Sequence, residues 1–514
     1  MSAPGAGASG ATVRGEEGSP GPSPQVPRRT RSAATPLFWL VLLIAAYFIP
    51  RGQYPNPDSH LALGYAMVER HTLRIDNYLQ LSGSSQLLLD KAVYCGPHTD
   101  VRTCRHYYSD KAPGVGLLIA AAYQAIHPVI SSGIAPTKPG SDRFLLRLLL
   151  TLLVISLPAA AFTVAYWRFL SRYAGPTEAM LVTVGYAFGS IALPYSMLLF
   201  SHALSAALLF GAFMLVAPRS SVLEVARPLR PQARAVLAGV LAGYAIGCEY
   251  PAVIIVALIG LYLLFGHGGP GIRLRSTGCY ACGVLIGAVP LLLYDLATFG
   301  TPLAQGYAYL NNPLYARGMA HGIMGVGTPM WEAAWGTTFS PYRGIFLLSP
   351  WLLLAFPGLA RMARAGWRRE AWLCGSVSVA YFLFQAGYAF WDGGASVGPR
   401  HFLPALPFLA FPVVFALGDR RLLRLAQVLI AVSVAEMLLI VSVRPWFGTS
   451  PIPFIDETLH YAASGQWQNN WGRLFRLPGP ASLLPLLALA FILARRIGGR
   501  LQSEHVAGGN VPRP

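Results

Sequence analysis

Arg28-Arg-Thr-Arg31-Ser-Ala-Ala-Thr-Pro-Leu37-Phe-Trp-Leu-Val-Leu-Leu-Ile-Ala-Ala-Tyr-Phe-Ile49 orients everything downstream of it. Three arginines precede an apolar run, so the positive-inside rule places the N-terminus in the cytoplasm. The next loop, from about Arg51 to Ala112, is then outside. Apolar segments follow at 144–167, 178–196, 199–217, 233–248, 250–265, 277–298, 344–360, 371–390, 402–418, 422–443 and 480–497. A span needs roughly 20 mostly apolar residues, which reads as about twelve transmembrane helices. The connectors Arg168/Arg172, Arg219 to Arg234, Arg273/Arg275, Arg361 to Arg369, Arg420 to Arg424 and Arg495/Arg496 all fall inside on this count.

That parity leaves no room for Val115 to Ile130 as a full span. The segment is read as lying in or dipping into the outer interface; the alternative is a true span with a miscounted partner elsewhere. The pair 233–248 and 250–265 is broken at Glu249-Tyr250-Pro251. A carboxylate and irregular backbone at that depth require protein or a polar cavity around them.

Composition agrees with the bilayer as solvent: 54% of the 514 residues are hydrophobic and 12% charged. The net charge of +18 is spread as arginines at helix ends with no concentrated basic face, which excludes nucleic acid as the partner. The expected organisation is a disordered cytoplasmic tail (1–34) with no cleaved signal peptide and a transmembrane module (35–443) with outer loop 51–112. An outer loop with the last span (444–499) and a cytoplasmic tail (500–514) complete it.

Six cysteines divide by environment. Cys95 and Cys104 lie in the outer loop, where a disulfide suits an oxidising exterior. A metal site of Cys95, His98, Cys104 and His106 is the competing reading, and its spacing fits no zinc pattern well. Cys279 and Cys282 have CxxC spacing but sit within a span, as packing residues.

Ionisable residues are costly near lipid, and here they cluster outside. Tyr54-Pro-Asn-Pro-Asp58-Ser-His60, then Leu61, Tyr65, Ala66, Met67 and Val68, reads as an interfacial amphipathic helix with Asp58 at its N-cap. Spacing leaves capping and catalysis both open for Asp58. Leu73-Arg-Ile-Asp76 follows. Arg105-His-Tyr-Tyr-Ser-Asp110-Lys111-Ala-Pro113-Gly114 places a cation at headgroup depth, as a phosphate ligand or a snorkelling lysine. Later outer loops supply His202, Tyr307, Ser340-Pro-Tyr-Arg343-Gly344 and Trp391-Asp-Gly-Gly-Ala-Ser-Val-Gly398-Pro-Arg400-His401. A Gly-rich turn beside an arginine suits an anion, although each is also compatible with a plain turn.

At these residues the chain resembles the GT-C glycosyltransferases, in particular the branch containing protein O-mannosyltransferases and the lipid A aminoarabinose transferase. Asp58 with Ala66-Met-Val-Glu-Arg70 and Lys111-Ala-Pro-Gly114 carry the first two elements of the likeness. Leu291-Leu-Leu-Tyr-Asp295-Leu-Ala-Thr-Phe-Gly300-Thr-Pro302, Phe339-Ser-Pro-Tyr-Arg-Gly344 and Trp391-Asp-Gly-Gly394 to Arg400 continue it, so it touches most of the chain from residue 36 to about 405. The resemblance implies an all-α GT-C bundle with interfacial helices in the first outer loop. It further implies transfer of one sugar from a polyprenyl-phosphate carrier to an acceptor hydroxyl at the outer face of a plasma or inner membrane. Asp58 would be the general base of an inverting attack. Lys111 and Arg400, with His202 and Arg343, would neutralise the departing lipid phosphate. Asp76, Glu249, Tyr307, His60 and Trp391 would line the substrate pocket. No metal or cofactor is required, though a divalent cation is compatible. The partners are the sugar lipid, membrane lipids and an acceptor that is a glycan, lipid or protein. A polytopic transporter or lipid flippase is the main rival, since Glu249, Asp295 and Glu436 would also suit a translocation path, although no internal repeat supports it. A non-catalytic scaffold binding polyprenyl lipid is the third reading.

Overall fold

The computed structural model describes residues 33–49, 55–81, 88–96, 103–104, 106–130, 143–218, 229–266 and 268–507. The expected N-terminal tail as far as residue 32, residues 131–142 and His98 lie outside them. Among the described residues the elements are helices and their connections, with one two-residue strand pair, β1 (Ala92–Val93) and β2 (Tyr107–Tyr108), antiparallel.

Helix α1 (Ala34–Tyr47) packs on the last helix of the chain, and Tyr47 donates to the Ser482 carbonyl at 2.6 Å. Helix α2 (Pro55–Arg70) starts at a proline, whose missing N–H costs nothing in a first turn. Asp58 is therefore inside the first turn of α2, and the expected N-cap is four residues too late. Helix α3 (Gly114–Ile130) lies on α2 at close range: a side chain at Gly64 would strike Ile119, and one at Gly116 would strike Leu63. The two form the paired helices expected of the outer loop.

Helices α4 (Phe144–Thr151) and α5 (Leu157–Leu170) run on through one π-turn, Leu152–Ser156. Helices α6 (Pro176–Phe188), α7 (Ala192–Tyr195), α8 (His202–Val216), α9 (Pro231–Cys248) and α10 (Ala252–Leu264) follow. The break between α9 and α10 falls at the expected place, with Glu249 extended (φ −148°, ψ 114°). Helix α11 (Pro270–Phe299) packs on α9 through glycines. A methyl at Gly239, Gly243, Gly283 or Gly287 would come within 2.2 Å of a facing carbonyl oxygen. Only bare backbone allows that approach, the small-residue contact typical of helices in lipid.

Helices α12 (Pro313–Met319) and α13 (Trp331–Thr338) lie in the connection that follows. The chain continues with α14 (Ile345–Leu348), α15 (Ala355–Arg364), α16 (Arg368–Gly387), α17 (Leu406–Ala410), α18 (Val413–Ala416), α19 (Arg420–Val443), α20 (His460–Ala463) and α21 (Leu484–Ala507). The expected tail from 500 is thus helical as far as Ala507, since nothing between Arg500 and Ala507 breaks a helix.

Most of the apolar segments singled out in the sequence form helices, and the chain is a helical polytopic membrane protein. Among the described residues, four helical stretches are long and apolar enough to cross a bilayer: Leu145–Leu170, Pro270–Phe299, Arg420–Val443 and Gly479–Gln502. Ala34–Tyr47, His202–Val216 and Ala252–Leu264 are shorter apolar helices. Segments 344–360 and 402–418 are instead broken into short pieces around Pro350, Pro404, Pro407 and Pro412. Phe402, Leu403, Phe408 and Val413 among them are fully buried, so protein rather than lipid surrounds the irregular backbone.

Candidate functional site

One cavity of about 1170 Å³ is bounded by the start of α2, the segment around β2, the N-terminus of α8, the α9–α10 break, the end of α11 and the loops at 302–326 and 388–401. The first-loop regions, the N-terminus of α8 and the later loops were read as non-cytoplasmic, and the α9–α10 break as an interior feature at membrane depth. Long-range folding gathers them.

Lys111 reaches the cavity because of the strand pair. The Cys95–Cys104 disulfide, present as expected, closes the excursion between β1 and β2, and β2 runs directly into Ser109-Asp110-Lys111. Lys111 Nζ lies 3.2 Å from Asp90 Oδ2 and 3.3 Å from Asp110 Oδ2, with the Tyr307 ring centroid 5.3 Å away. Burial opposes its charge, but Asp110 and Asp90 outweigh that and hold its pKa well above the ordinary lysine value. Asp110 is fully buried, and burial pushes its carboxyl above the usual range while Lys111 pulls it back. Its Oδ1 has no partner among the described residues.

Asp58 does not share this cavity wall. Asn56 and His60, four residues apart, occupy one face of α2 and line the cavity. Asp58, two residues from each, lies ~200° round the helix. Its Oδ1 is instead 2.8 Å from Arg147 Nη2 on α4. His60 has no partner for either ring nitrogen among the described residues. Burial, with Lys111 nearby, lowers its pKa to about 3, so the ring is neutral.

Arg400 faces the cavity with its guanidinium 4.9 Å above the Phe200 ring, and its Nε has no partner among the described residues. His202, Glu249 and Tyr307 also line the cavity. The structure therefore brings together Lys111, Arg400, His202, Glu249, Tyr307 and His60.

Three other expected residues do structural work beside it. Arg343 is fully buried and donates to the carbonyls of Asp392 (3.1 Å), Gly394 (2.8 Å) and Gly448 (2.7 Å). A glycine-rich turn leaves its carbonyls without helical partners, and the planar guanidinium satisfies several at once. Arg343 thus shapes the turn that presents Arg400. Trp391 packs on α13, where a side chain at Gly336 would strike its ring. Asp76 fastens the strand pair, accepting from the Tyr107 N–H at 2.6 Å and lying 3.3 Å from His106 Nδ1.

The cavity wall also includes Asp90, Asp110, Asp295, Tyr388, Asp392 and His401, which were not singled out as site residues. Asp110 and His401 adjoin Lys111 and Arg400 in sequence, which was the available signal. Asp90 carried none, because it depends on the strand pairing. His202, Glu249 and His401 form a tight group whose candidate ligand atoms lie within 4.8 Å of one another.

Two properties define what the cavity can hold. Five carboxylates, Asp90, Asp110, Glu249, Asp295 and Asp392, face two permanent cations, Lys111 and Arg400. Away from them the wall turns apolar and reaches the protein surface at the exposed residues Val253, Leu303, Leu314, Ile323 and Leu383. The chamber is charged inside and greasy at its mouth.

No protein-family model and no curated relative matches the sequence. Among solved structures, the fold is similar to ArnT from Cupriavidus metallidurans bound to undecaprenyl phosphate, with TM-score 0.45 and 15% identity over 92% of this chain and 77% of that one. The same protein in the apo state gives TM-score 0.44 and 15% identity over 91% and 78%. The Archaeoglobus fulgidus oligosaccharyltransferase in the apo form gives TM-score 0.41 and 11% identity over 90% of this chain and 56% of that one.

Proposed function

We propose that this chain is a membrane glycosyltransferase that moves a single sugar from a polyprenyl-phosphate carrier to an acceptor hydroxyl on the non-cytoplasmic face of a plasma or inner membrane. The observation that carries the reading is the shape of the cavity: a charged chamber opening through exposed apolar side chains matches an amphiphile with an anionic head and a long hydrocarbon tail. Water-soluble substrates alone would give the apolar mouth no purpose.

In this reading Arg400 meets the phosphate, because the Gly393-Gly394 turn packs against its side chain and its Nε has no partner among the described residues. Lys111 adds positive charge and fixes Asp110. Asp110, rather than Asp58, takes the proton: one oxygen is held by Lys111, the other is unpartnered, and burial raises its proton affinity. The acceptor oxygen attacks the anomeric carbon as the bond to the phosphate oxygen breaks. The hydroxyl proton passes to Asp110, the polyprenyl phosphate leaves, and the anomeric centre is inverted. The acceptor is a glycan, lipid or protein bearing a hydroxyl.

The test is to supply the protein in nanodiscs with a panel of polyprenyl-phosphate sugars and measure release of polyprenyl phosphate. Turnover of at least one donor, dependent on an added acceptor, is expected. Movement of the intact sugar lipid across the bilayer without cleavage would favour the flippase reading instead.

A further inference from the structure

We propose that His60 and Asn56, one turn apart on α2, read the hydroxyls of the donor's sugar and restrict that sugar to an uncharged one. Both line the cavity, and the transfer chemistry uses neither. His60 is 1% exposed, and neither of its ring nitrogens has a partner among the described residues. The Oδ1 of Asn56 is buried without a partner as well. Buried polar groups are nearly always hydrogen-bonded, so two on the cavity-facing side of one helix point to a polar ligand that meets both. At this spacing their Cβ atoms are about 6 Å apart, close to the width of one sugar ring.

The chemistry of the pair suits a hydroxyl. Burial, with Lys111 nearby, keeps the His60 ring uncharged. A neutral imidazole carries one donor and one acceptor, and the carboxamide of Asn56 also carries both kinds. A sugar hydroxyl is likewise donor and acceptor. An ammonium brings only donors and would add positive charge beside Lys111. A carboxylate brings only acceptors and would enter a chamber already walled by five carboxylates. Asp110 and Asp295 each keep one unpartnered oxygen, which makes an amino sugar the rival to exclude.

Position assigns the pair to the donor. The groups whose charge acts on His60 are Lys111, Glu249 and His202. His202 stacks on Phe200, with ring centroids 5.9 Å apart, and Phe200 is the ring beneath Arg400. His60 therefore neighbours the groups around the proposed phosphate site, and in a sugar-phosphate lipid the sugar hangs directly on the phosphate. The Ser59 and Ser109 hydroxyls, 2.8 Å apart, fasten α2 to the residue before Asp110. Reader and base are thus held in fixed relation, as positioning of a reacting carbon requires.

The inference rests on the glycosyl-transfer reading, and the experiment lets the two fail separately. Binding to the protein in nanodiscs is measured without acceptor, for bare polyprenyl phosphate and for the same lipid carrying neutral hexoses and pentoses, their amino analogues or the corresponding uronic acids. At least one neutral sugar lipid should bind roughly 10- to 100-fold more tightly than the bare phosphate, and its deoxy forms should lose that margin, because a buried donor or acceptor is then left unpaired. His60→Leu should cut binding of the sugar lipid to the level of the bare phosphate, and His60→Gln, which keeps a donor and an acceptor, should recover part of the margin. The wild-type panel and its deoxy series do not depend on any variant folding. Tighter binding of an amino or uronic sugar than of every neutral one would overturn the inference and leave the glycosyl-transfer reading standing. So would an undiminished margin in folded His60→Leu and Asn56→Leu. Failure of the wild type to bind any of these lipids would overturn both.

Discussion

At the scale of single residues, the position of Asp58 separates two accounts of the chemistry. Its spacing from His60 meant that the two could not share one helical face, and that much was legible once a helix was assumed. The structure gives the cavity-facing side to Asn56 and His60 and leaves Asp58 with Arg147. Asp58→Asn is accordingly expected to act on stability. It leaves a mostly buried guanidinium without its carboxylate, at a cost of about 3 kcal/mol, readable as a lower Tm that Asp58→Asn with Arg147→Met partly restores. Asp110→Asn should act chiefly on chemistry, lowering kcat by roughly 10²- to 10⁴-fold, with the Tm loss limited because Lys111 keeps Asp90 as a partner. Full turnover in Asp110→Asn beside a dead but stable Asp58→Asn would return the base to residue 58. The pH profile gives a second reading of the same claim. A base must be ionised to work, and burial raises the Asp110 pKa. The acidic limb of kcat/KM should therefore lie above the ~4 of an ordinary aspartate. Lys111 and Arg400 could be found from sequence because a cation beside a Pro-Gly or Gly-Gly turn is conspicuous. Arg343 looked the same, and only its contacts with three carbonyls reveal a fastener.

At the scale of elements, hydrophobic runs located the helices well, because burial and lipid exposure both demand the same side chains. They did not distinguish an unbroken span from a helix interrupted inside protein, and the prolines at 350, 404, 407 and 412 mark that difference. Another signal went unread: Gly239 and Gly243 face Gly283 and Gly287 at the four-residue spacing that lets α9 and α11 touch. This contact sets Glu249, just past the end of α9, opposite Asp295 near the end of α11. Gly283→Leu should cost about 3 kcal/mol or prevent assembly, whereas Gly278→Leu, where an added side chain meets open space, should be silent by fluorescence-detected size exclusion. Equal behaviour of the two would remove the close-packing argument. The strand pair has its own fastening. Replacing Cys95 and Cys104 with serine opens a short loop and should lower stability by roughly 2–3 kcal/mol, with Lys111 positioning suffering alongside; an unchanged Tm would show that the Asp76 contacts suffice.

At the scale of the whole molecule, the cavity depends on sidedness. The sequence reading put the first loop, the start of α8 and the 391–401 turn at one side of the membrane and the α9–α10 break at membrane depth within the protein, and the folded chain gathers those regions around one chamber. What parity could not supply was which side chains turn inward, since that is fixed by helix phase and by strand pairing between distant segments. The central claim is that this chamber holds the phosphate head of a lipid whose tail leaves through the apolar mouth. The most direct measurement compares binding of a polyprenyl phosphate with that of the uncharged polyprenol of equal length, in wild type and Arg400→Ala. The account predicts that the wild type prefers the phosphate by roughly 10- to 100-fold, the worth of a charge-assisted contact, and that Arg400→Ala abolishes most of that preference. Equal affinity of the wild type for the two lipids, or a preference that survives Arg400→Ala intact, would contradict it.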